Sequence, residues 1–204
     1  MTGEARTYKL ASVLLQYPTM AMFDGLDLLD AAARDCPGQG DFVRFLRWLR
    51  GTAPDEVAAH YVATFDLRRR CAPYLTYHRH GDTRGRGMAM LAYKAAYRAA
   101  GFQPPDSELP DYLPMVLEFA ALSPHGVALL RRHRADLELL RRALHQAATP
   151  YAHVMEAVCG RLPRLRRPQL DAVRRLWDSG PPTEEVGLEP YGPPEYVTGR
   201  EARP

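Results

Sequence analysis

Apolar residues recur every three or four positions through most of this chain, and this helical periodicity is the feature that most restricts its fold. Phe42, Phe45, Leu46 and Leu49 share one face of a predicted helix, and Gly51 follows as its terminator. Alternating strand patterns are scarce, and no internal repeat of solenoid length is visible. The pattern therefore predicts an all-α fold, a single-domain bundle of about eight or nine helices.

Prolines mark several boundaries of the predicted helices. Pro114 fits a helix without strain only in its first turn, so the apolar segment around it predicts a helix that starts near Asp111, with the Asp111 carboxylate as its cap. Pro124 opens a long predicted helix that reaches Leu144. The segment 66–82 is neither clearly helical nor extended, and its aromatic residues predict an ordered connection.

The end of the chain differs in composition from the rest. Residues 179–204 include six prolines and four glycines, which excludes a helix there. The sequence therefore predicts a helical domain over 1–178 and a Pro/Gly-rich C-terminal tail over 179–204, either disordered or draped over the body. The tail also carries apolar residues, which leave partial docking open: Val186, Leu188, Tyr191, Tyr196 and Val197.

Composition restricts the class of protein and its compartment. Of the 204 residues, 46% are hydrophobic and 25% are charged, as in an ordinary soluble protein. No apolar stretch approaches the roughly 18 residues that cross a bilayer, and no secretory signal is visible. The three cysteines are widely spaced and form no CxxC pair. We therefore expect a cytoplasmic protein with reduced thiols and no stable membrane insertion.

The signals for catalysis or for metal binding are weak. His78 and His80 flank the cationic Arg79, which makes a poor metal site, and no HExxH motif or cysteine-rich partner exists. There is no GxSxG motif, and the glycines of 81–87 follow no predicted strand. The sequence therefore indicates no enzyme, no metal and no cofactor. The net charge of +3 gives no overall reason to expect nucleic acid, although an Arg-rich helical nucleic-acid-binding protein stays open as an alternative.

One window of the sequence concentrates aromatic, arginine and acidic residues. Buried arginine needs acceptors, so the window predicts Arg–Asp pairs that tie the irregular segment onto the helices, with a binding role as the alternative. The window contains Tyr61, Phe65, Asp66, Arg68, Arg69, Arg70, Tyr74, Tyr77, Asp82, Arg84 and Arg86.

Three blocks of sequence stand out between residues 61 and 122. They read YVATFDLRRRCAPYLTY (61–77), GDTRGRGMAMLAYKAAYRAAGF (81–102) and DSELPDYLPMVLEFAAL (106–122). In this order they resemble the NarJ-type assembly chaperones of respiratory molybdenum-dependent nitrate reductases. The wider superfamily, which includes TorD- and DmsD-like chaperones, carries an acidic residue, a proline, an aspartate and a histidine before a central helix. The corresponding residues here are Glu108, Pro110, Asp111 and Tyr112, so tyrosine replaces the usual histidine.

The resemblance implies a cofactor-free helper that binds the N-terminal segment of the nitrate reductase catalytic subunit. It would keep that subunit competent for molybdenum cofactor insertion before membrane docking. A chaperone for another molybdoenzyme of the superfamily stays open, as does contact with molybdenum cofactor delivery proteins. The residues that carry the family motif are Asp66, Arg68, Arg69, Arg70, Tyr74, Tyr77, Asp82, Arg84, Glu108, Pro110 and Asp111.

A helical bundle with spare apolar surface can hold an amphipathic client helix in a groove. Folding of the client segment costs about 2–5 kcal/mol, so several apolar side chains must be buried in compensation. Acidic groups such as Glu108, Asp111 and Glu118 would meet basic residues of the client. We expect the groove to lie near Tyr61, Phe65, Leu109, Tyr112, Leu113, Leu117 and Glu118.

Overall fold

The computed structural model describes residues 1–182, in which twelve α-helices form a single all-α domain, as predicted. A π-helical turn (Val62–Asp66) continues α5, and a 3-10 turn follows at Arg69–Cys71. The described residues contain no strand, only an isolated antiparallel bridge between Tyr74 and Tyr112. The helices are α1 Gly3–Leu14, α2 Met20–Asp24, α3 Leu26–Arg34, α4 Gln39–Arg50, α5 Pro54–Tyr61, α6 Tyr77–His80, α7 Arg84–Ala99, α8 Leu113–Leu122, α9 Pro124–Arg132, α10 Arg134–Gln146, α11 Tyr151–Cys159 and α12 Arg167–Ser179.

The number of helices exceeds the predicted eight or nine because local breaks divide longer helical patterns. Gly25 separates α2 from α3. The long helix predicted from Pro124 to Leu144 is interrupted at His133, whose backbone (φ −96°, ψ 22°) leaves the helical region. The His133 Nδ1 bonds to Asp136 Oδ2 at 3.0 Å, so the break is supported by a side chain in the next turn. The segment 66–82 is ordered, as predicted, and contains α6.

Most helices share one hydrophobic core. α1 lies along α8, and α11 lies along both α4 and α10. The Phe45 and Tyr151 rings are 5.0 Å apart between α4 and α11. α9 approaches α8 so closely that a Cβ on Gly126 would lie 2.4 Å from the Ala120 backbone nitrogen, so only glycine fits there. Within the described part of the chain, no helix is long and apolar enough to span a membrane.

α12 packs largely outside this core. Val173 is buried against Ala135 and Leu139 of α10 in a small second cluster, and Trp177 contacts both clusters. α12 extends to Ser179, one residue into the predicted tail.

After α12 the chain passes close to Gly81. A Cβ added to Gly81 would lie 1.7 Å from the Pro182 carbonyl oxygen, and the φ angle of Gly81 is +53°. Only glycine tolerates this approach and this backbone conformation. The predicted tail from residue 183 onward lies outside the described residues.

Candidate functional site

The three blocks that carry the resemblance meet at Asp111. The Leu75 backbone N–H donates to the Asp111 carbonyl (3.1 Å), and the Leu113 N–H donates to the Pro73 carbonyl (2.8 Å). The Asp111 carboxylate is fully buried, and its Oδ2 accepts hydrogen bonds from the Thr76 backbone nitrogen (3.1 Å) and the Thr76 hydroxyl (2.6 Å). The first and third blocks are therefore joined through backbone and side chain.

Arg86 of α7 brings the second block to the same point. Its guanidinium lies 5.3 Å from the centre of the Tyr74 ring and 5.5 Å from that of Tyr77, and its Nη2 is 3.7 Å from Asp111 Oδ2. Arg86 is also 3.7 Å from Asp82 of the irregular segment, so one of the predicted Arg–Asp pairs between this segment and a helix is confirmed. A charge buried in this way is stable only while it keeps its partners. We call Tyr74, Thr76, Tyr77, Arg86 and Asp111 the Asp111 junction.

The predicted capping role of Asp111 is wrong. α8 begins at Leu113 with Tyr112 at its N-cap, and no side chain caps it. Because Asp111 and Leu113 both pair with the chain that precedes α6, the Asp111 carboxylate reaches Thr76 instead of the first turn of α8. Pro114 does lie in that first turn, as predicted.

Tyr112, at the position of the family histidine, belongs to an aromatic cluster. Its ring centre is 5.5 Å from that of Tyr74, and its hydroxyl is 3.2 Å from the Tyr61 hydroxyl. The Tyr61 hydroxyl also donates to the Leu15 carbonyl at 3.3 Å. Burial raises the pKa of both tyrosines, so both hydroxyls are neutral hydrogen-bonding groups. The tyrosine therefore links α8 to α5 without an ionisable imidazole.

The residues of the family motif differ widely in exposure. Arg69 Nε donates to the Tyr77 hydroxyl at 2.7 Å, and Arg70 Nη1 donates to the Trp177 carbonyl at 2.8 Å. These arginines therefore join separate parts of the fold. The exposed motif residues are Asp66, Arg68, Arg69, Asp82 and Arg84. The half-buried ones are Arg70, Tyr74 and Glu108, and the buried ones are Tyr77, Pro110 and Asp111.

The structure separates the seven residues predicted to bind a peptide into two groups. The first group is buried in the core and consists of Tyr61, Phe65, Leu113 and Leu117. The second group reaches the surface and consists of Leu109, Tyr112 and Glu118. In this conformation only the second group is available to a partner. The involvement of all seven in peptide binding stays a prediction.

The outer face of α8 was predicted only in part, because Tyr112 and Glu118 were assigned to the groove and Met115 and Leu122 were not. Met115, Glu118 and Leu122 follow one another at helical spacing, on the side of the helix opposite Leu113 and Leu117. Leu122 is 60% exposed, whereas Leu113 and Leu117 are buried. The i, i+3, i+7 spacing was visible in the sequence, but α8 is apolar on most sides. We call Tyr112, Met115, Glu118 and Leu122 the α8 stripe.

Two apolar clefts flank the α8 stripe. The α8 cleft, of about 270 Å³, lies between α8 and the loop after α7, and the α1–α3 cleft has about 340 Å³. Glu118 lines the first and Lys9 lines the second, and these two residues form an ion pair, so the clefts adjoin. Apolar residues of the α8 cleft include Phe102, Pro104, Met115, Phe119 and Leu122. Those of the α1–α3 cleft include Leu10, Val13, Leu28, Leu29 and Ala32.

Metal-ligating side chains are dispersed in the described region. No three His, Cys, Asp or Glu residues within 1–182 are placed to share a metal ion. All three cysteines are buried free thiols, and burial raises the pKa of each. The arrangement of side chains around α8 fits the recognition of an apolar segment.

Comparison with known families identifies the family to which the chain belongs. A family model described as "Nitrate reductase delta subunit" matches residues 32–157. The chain belongs to the nitrate reductase delta subunit family. The matched range contains the Asp111 junction and the α8 stripe, whereas α12 lies outside it.

Several named proteins are similar to this family member. "Nitrate reductase-like protein NarX" of Mycobacterium tuberculosis is 45% identical over 74% of this chain, which spans 24% of that relative's length. "Probable nitrate reductase molybdenum cofactor assembly chaperone NarJ" of Bacillus subtilis is 30% identical over 79% of this chain and 90% of the relative. NarJ of Escherichia coli is 34% identical over 70% of this chain and 64% of the relative.

A solved structure has the same fold as this family member. It is described as a putative redox enzyme maturation protein from Archaeoglobus fulgidus, and it matches with a TM-score of 0.59 over 76% of this chain and 91% of that one. Sequence identity is 22%, so this likeness concerns the fold alone.

Proposed function

We propose that this protein is an assembly chaperone for a respiratory nitrate reductase. It binds the N-terminal segment of the catalytic subunit in the cytoplasm and keeps that subunit competent for molybdenum cofactor insertion before membrane docking. It performs no catalysis itself. The observation that carries the proposal is the similarity to the Bacillus subtilis protein named as a probable NarJ chaperone, which extends over 79% of this chain and 90% of that protein.

The α8 stripe and its two clefts are the surface that fits such a client best. An amphipathic helix binds through apolar anchors at i, i+3 or i+4 and i+7, and each cleft can take one or more anchors. An anchor contributes about 1.5–3 kcal/mol when fully buried, whereas ordering of the segment costs about 2–5 kcal/mol. Several anchors must therefore be buried together for net binding, and the small remaining difference is weak enough for release.

Glu118 is the acidic group best placed to meet a basic residue of the client. Its side chain is 44% exposed, as is that of Lys9, its partner. Such an exposed ion pair contributes only about 0–1 kcal/mol, so a client lysine or arginine can share Glu118 at little cost. Asp111 is fully buried and is occupied by Thr76 and Arg86. We therefore assign Asp111 to the scaffold and Glu118 to the client-binding surface.

Calorimetric titration with a synthetic peptide of the client's N-terminal segment tests the proposal. Leu122→Asp places a charge at the edge of the α8 cleft and should weaken binding about tenfold or more. Leu91→Asp on α7 is the matched control, because Leu91 is 54% exposed and Leu122 is 60% exposed. The control variant should bind like the wild type.

Two results would count against the proposal in different ways. Equal affinity of the wild type, Leu122→Asp and Leu91→Asp would remove the α8 stripe from the binding surface. Failure of the wild type to bind the peptide would remove the N-terminal segment as the client.

A further inference from the structure

A surface cavity of about 300 Å³ lies between the 3-10 turn Arg69–Cys71 and the carboxyl end of α10. Three consecutive arginines line it on one side and the end of α10 on the other. Its lining includes Arg68, Arg69, Arg70, Ala143, Gln146 and Ala147. None of these residues lines the α8 cleft or the α1–α3 cleft, so the cavity is separate from the surface proposed for the client. We call it the arginine cavity.

The positive charge beside the arginine cavity is only weakly compensated. Within residues 1–182, Arg68 and Arg70 form no ion pair with a carboxylate. Arg69 Nη2 lies 3.9 Å from Asp82 Oδ2, and both of these side chains are more than half exposed. A pair so long and so exposed contributes little. The three arginines therefore keep a net positive charge at the cavity.

Two of the three guanidinium groups are held in place by the fold. Arg69 Nε donates to the Tyr77 hydroxyl at 2.7 Å, and Arg70 Nη1 donates to the Trp177 carbonyl at 2.8 Å. These bonds leave most of the N–H donors of each guanidinium for other acceptors. Donors that are already positioned lose less entropy when a ligand binds. The cavity is thus partly organised for an acceptor that carries negative charge.

The carboxyl end of α10 adds little opposing charge. A helix carries partial negative charge at this end, on carbonyl groups that lack a partner. Here three of those carbonyls accept hydrogen bonds from the backbone that follows. The donors and acceptors are Ala147 and Ala143 (2.9 Å), Ala148 and His145 (2.9 Å), and Thr149 and Leu144 (3.2 Å). The Gln146 side-chain amide, which also lines the cavity, is able to donate to an anion.

We propose that the arginine cavity binds the phosphate groups of a small molecule. A guanidinium presents paired N–H donors that match phosphate oxygens, and three of them at one cavity match a group with more than one negative charge. A volume of about 300 Å³ is at the lower end of the range for small-molecule sites. An acidic polypeptide distributes its carboxylates along a chain, whereas these arginines line one compact space. The observations therefore favour phosphate.

Calorimetric titration of the full-length protein with inorganic pyrophosphate, without divalent cations, tests the proposal. We expect saturable binding of one pyrophosphate per chain. Arg68→Gln should weaken this binding about tenfold, because it removes one charged donor from the cavity. The fold should tolerate the change, since Arg68 is exposed and forms no hydrogen bond or ion pair within the described residues. Failure of the wild type to bind, or equal affinity of the two proteins, would overturn the proposal.

Arg47→Gln is the matched control. Arg47 of α4 is also exposed and does not line the arginine cavity, so its replacement changes the net charge by the same amount at another place. This variant should bind pyrophosphate like the wild type. Equal weakening by Arg47→Gln and Arg68→Gln would show a response to overall charge alone, and the proposal would fall. Circular dichroism checks that both variants retain their helices.

Titration with tetraglutamate separates phosphate from an acidic polypeptide. Pyrophosphate should bind at least about tenfold more tightly, because its charges are concentrated on one compact group. Tighter binding of tetraglutamate would overturn the proposal and assign the cavity to an acidic segment of a protein. None of these titrations involves the nitrate reductase client, so their failure leaves the proposed function intact.

Discussion

Asp111, at the centre of the Asp111 junction, and all residues of the α8 stripe lie in the same block of sequence, 106–122. The environments of the two regions are nevertheless opposite. Asp111 is fully buried, accepts hydrogen bonds from Thr76 and forms an ion pair with Arg86, so it joins three segments of the chain. Leu122 is exposed and borders an open apolar cleft. The comparison teaches that the buried residues of the family motif assemble the scaffold. The surface that we propose for the client consists of ordinary apolar positions on the other side of the same helix.

Asp111→Ala should have the largest effect on stability. It removes the acceptor of two hydrogen bonds from Thr76 and leaves the Arg86 guanidinium without its buried counter-ion. We expect a loss of about 4 kcal/mol in the free energy of unfolding, measured by urea denaturation. Asp82→Ala is the control, because Asp82 pairs with Arg86 at 3.7 Å but its side chain is 68% exposed, and it should cost less than about 0.5 kcal/mol. Equal losses of unfolding free energy in the two variants would show that the Asp111 junction contributes no more to stability than an exposed ion pair.

Leu117→Ala and Leu122→Ala compare the two faces of α8 directly. Leu117 is fully buried, so its truncation should cost about 3 kcal/mol of unfolding free energy, whereas Leu122→Ala should cost less than about 0.5 kcal/mol. Leu122→Ala should nevertheless weaken binding of the client peptide more than Leu117→Ala does. Urea denaturation and calorimetric titration give the two values. The same ranking in both measurements would contradict the division of α8 into a core face and a binding face.

Much of the fold follows from the sequence because its signals are local. Helical periodicity predicted the all-α class, and the missing N–H of proline predicted Pro114 in the first turn of α8. The demand of arginine for acceptors predicted the pairing of Arg86 with Asp82 in the same window, although not its second pairing with the distant Asp111.

The rest depends on distant neighbours. The Asp111 carboxylate accepts a hydrogen bond from Thr76, which belongs to a different block of the sequence. Judged from its neighbours in sequence alone, this carboxylate was interpreted as a helix cap, and that interpretation was wrong. α8 carries apolar residues on most of its circumference, so periodicity alone could not tell that Leu113 faces the core while Leu122 faces out.

Glu138 extends the comparison to a second buried carboxylate. Burial alone would raise its pKa, but hydrogen bonds from Arg141 (2.7 Å) and Arg142 (3.0 Å), with Arg134 nearby, lower the pKa from 4.5 to about 2. A carboxyl whose pKa is depressed by folding stabilises the protein above its unfolded pKa. This contribution should disappear as the pH falls from 4.5 towards 2.

Glu138→Gln tests that contribution. The variant should lose about 2 kcal/mol of unfolding free energy at neutral pH, because three arginines lose their shared counter-ion. Its melting temperature should also change less than that of the wild type between pH 4.5 and pH 2. Identical pH profiles would show that Glu138 does not account for the acid sensitivity of the fold.

Tyr112→Phe should have the smallest effect, and it probes the residue of the α8 stripe that contacts Tyr74 of the Asp111 junction. It removes the contact between the Tyr112 and Tyr61 hydroxyls, but Tyr61 keeps the Leu15 carbonyl as its acceptor. We expect a loss of about 1 kcal/mol in urea denaturation, against almost none for Tyr17→Phe, whose ring is half exposed. The aromatic ring is retained, so the affinity for the client peptide should stay within about twofold. A tenfold loss of affinity would mean that the hydroxyl itself contacts the client, and Tyr112 would then belong to the binding surface through its polar end and not through its ring.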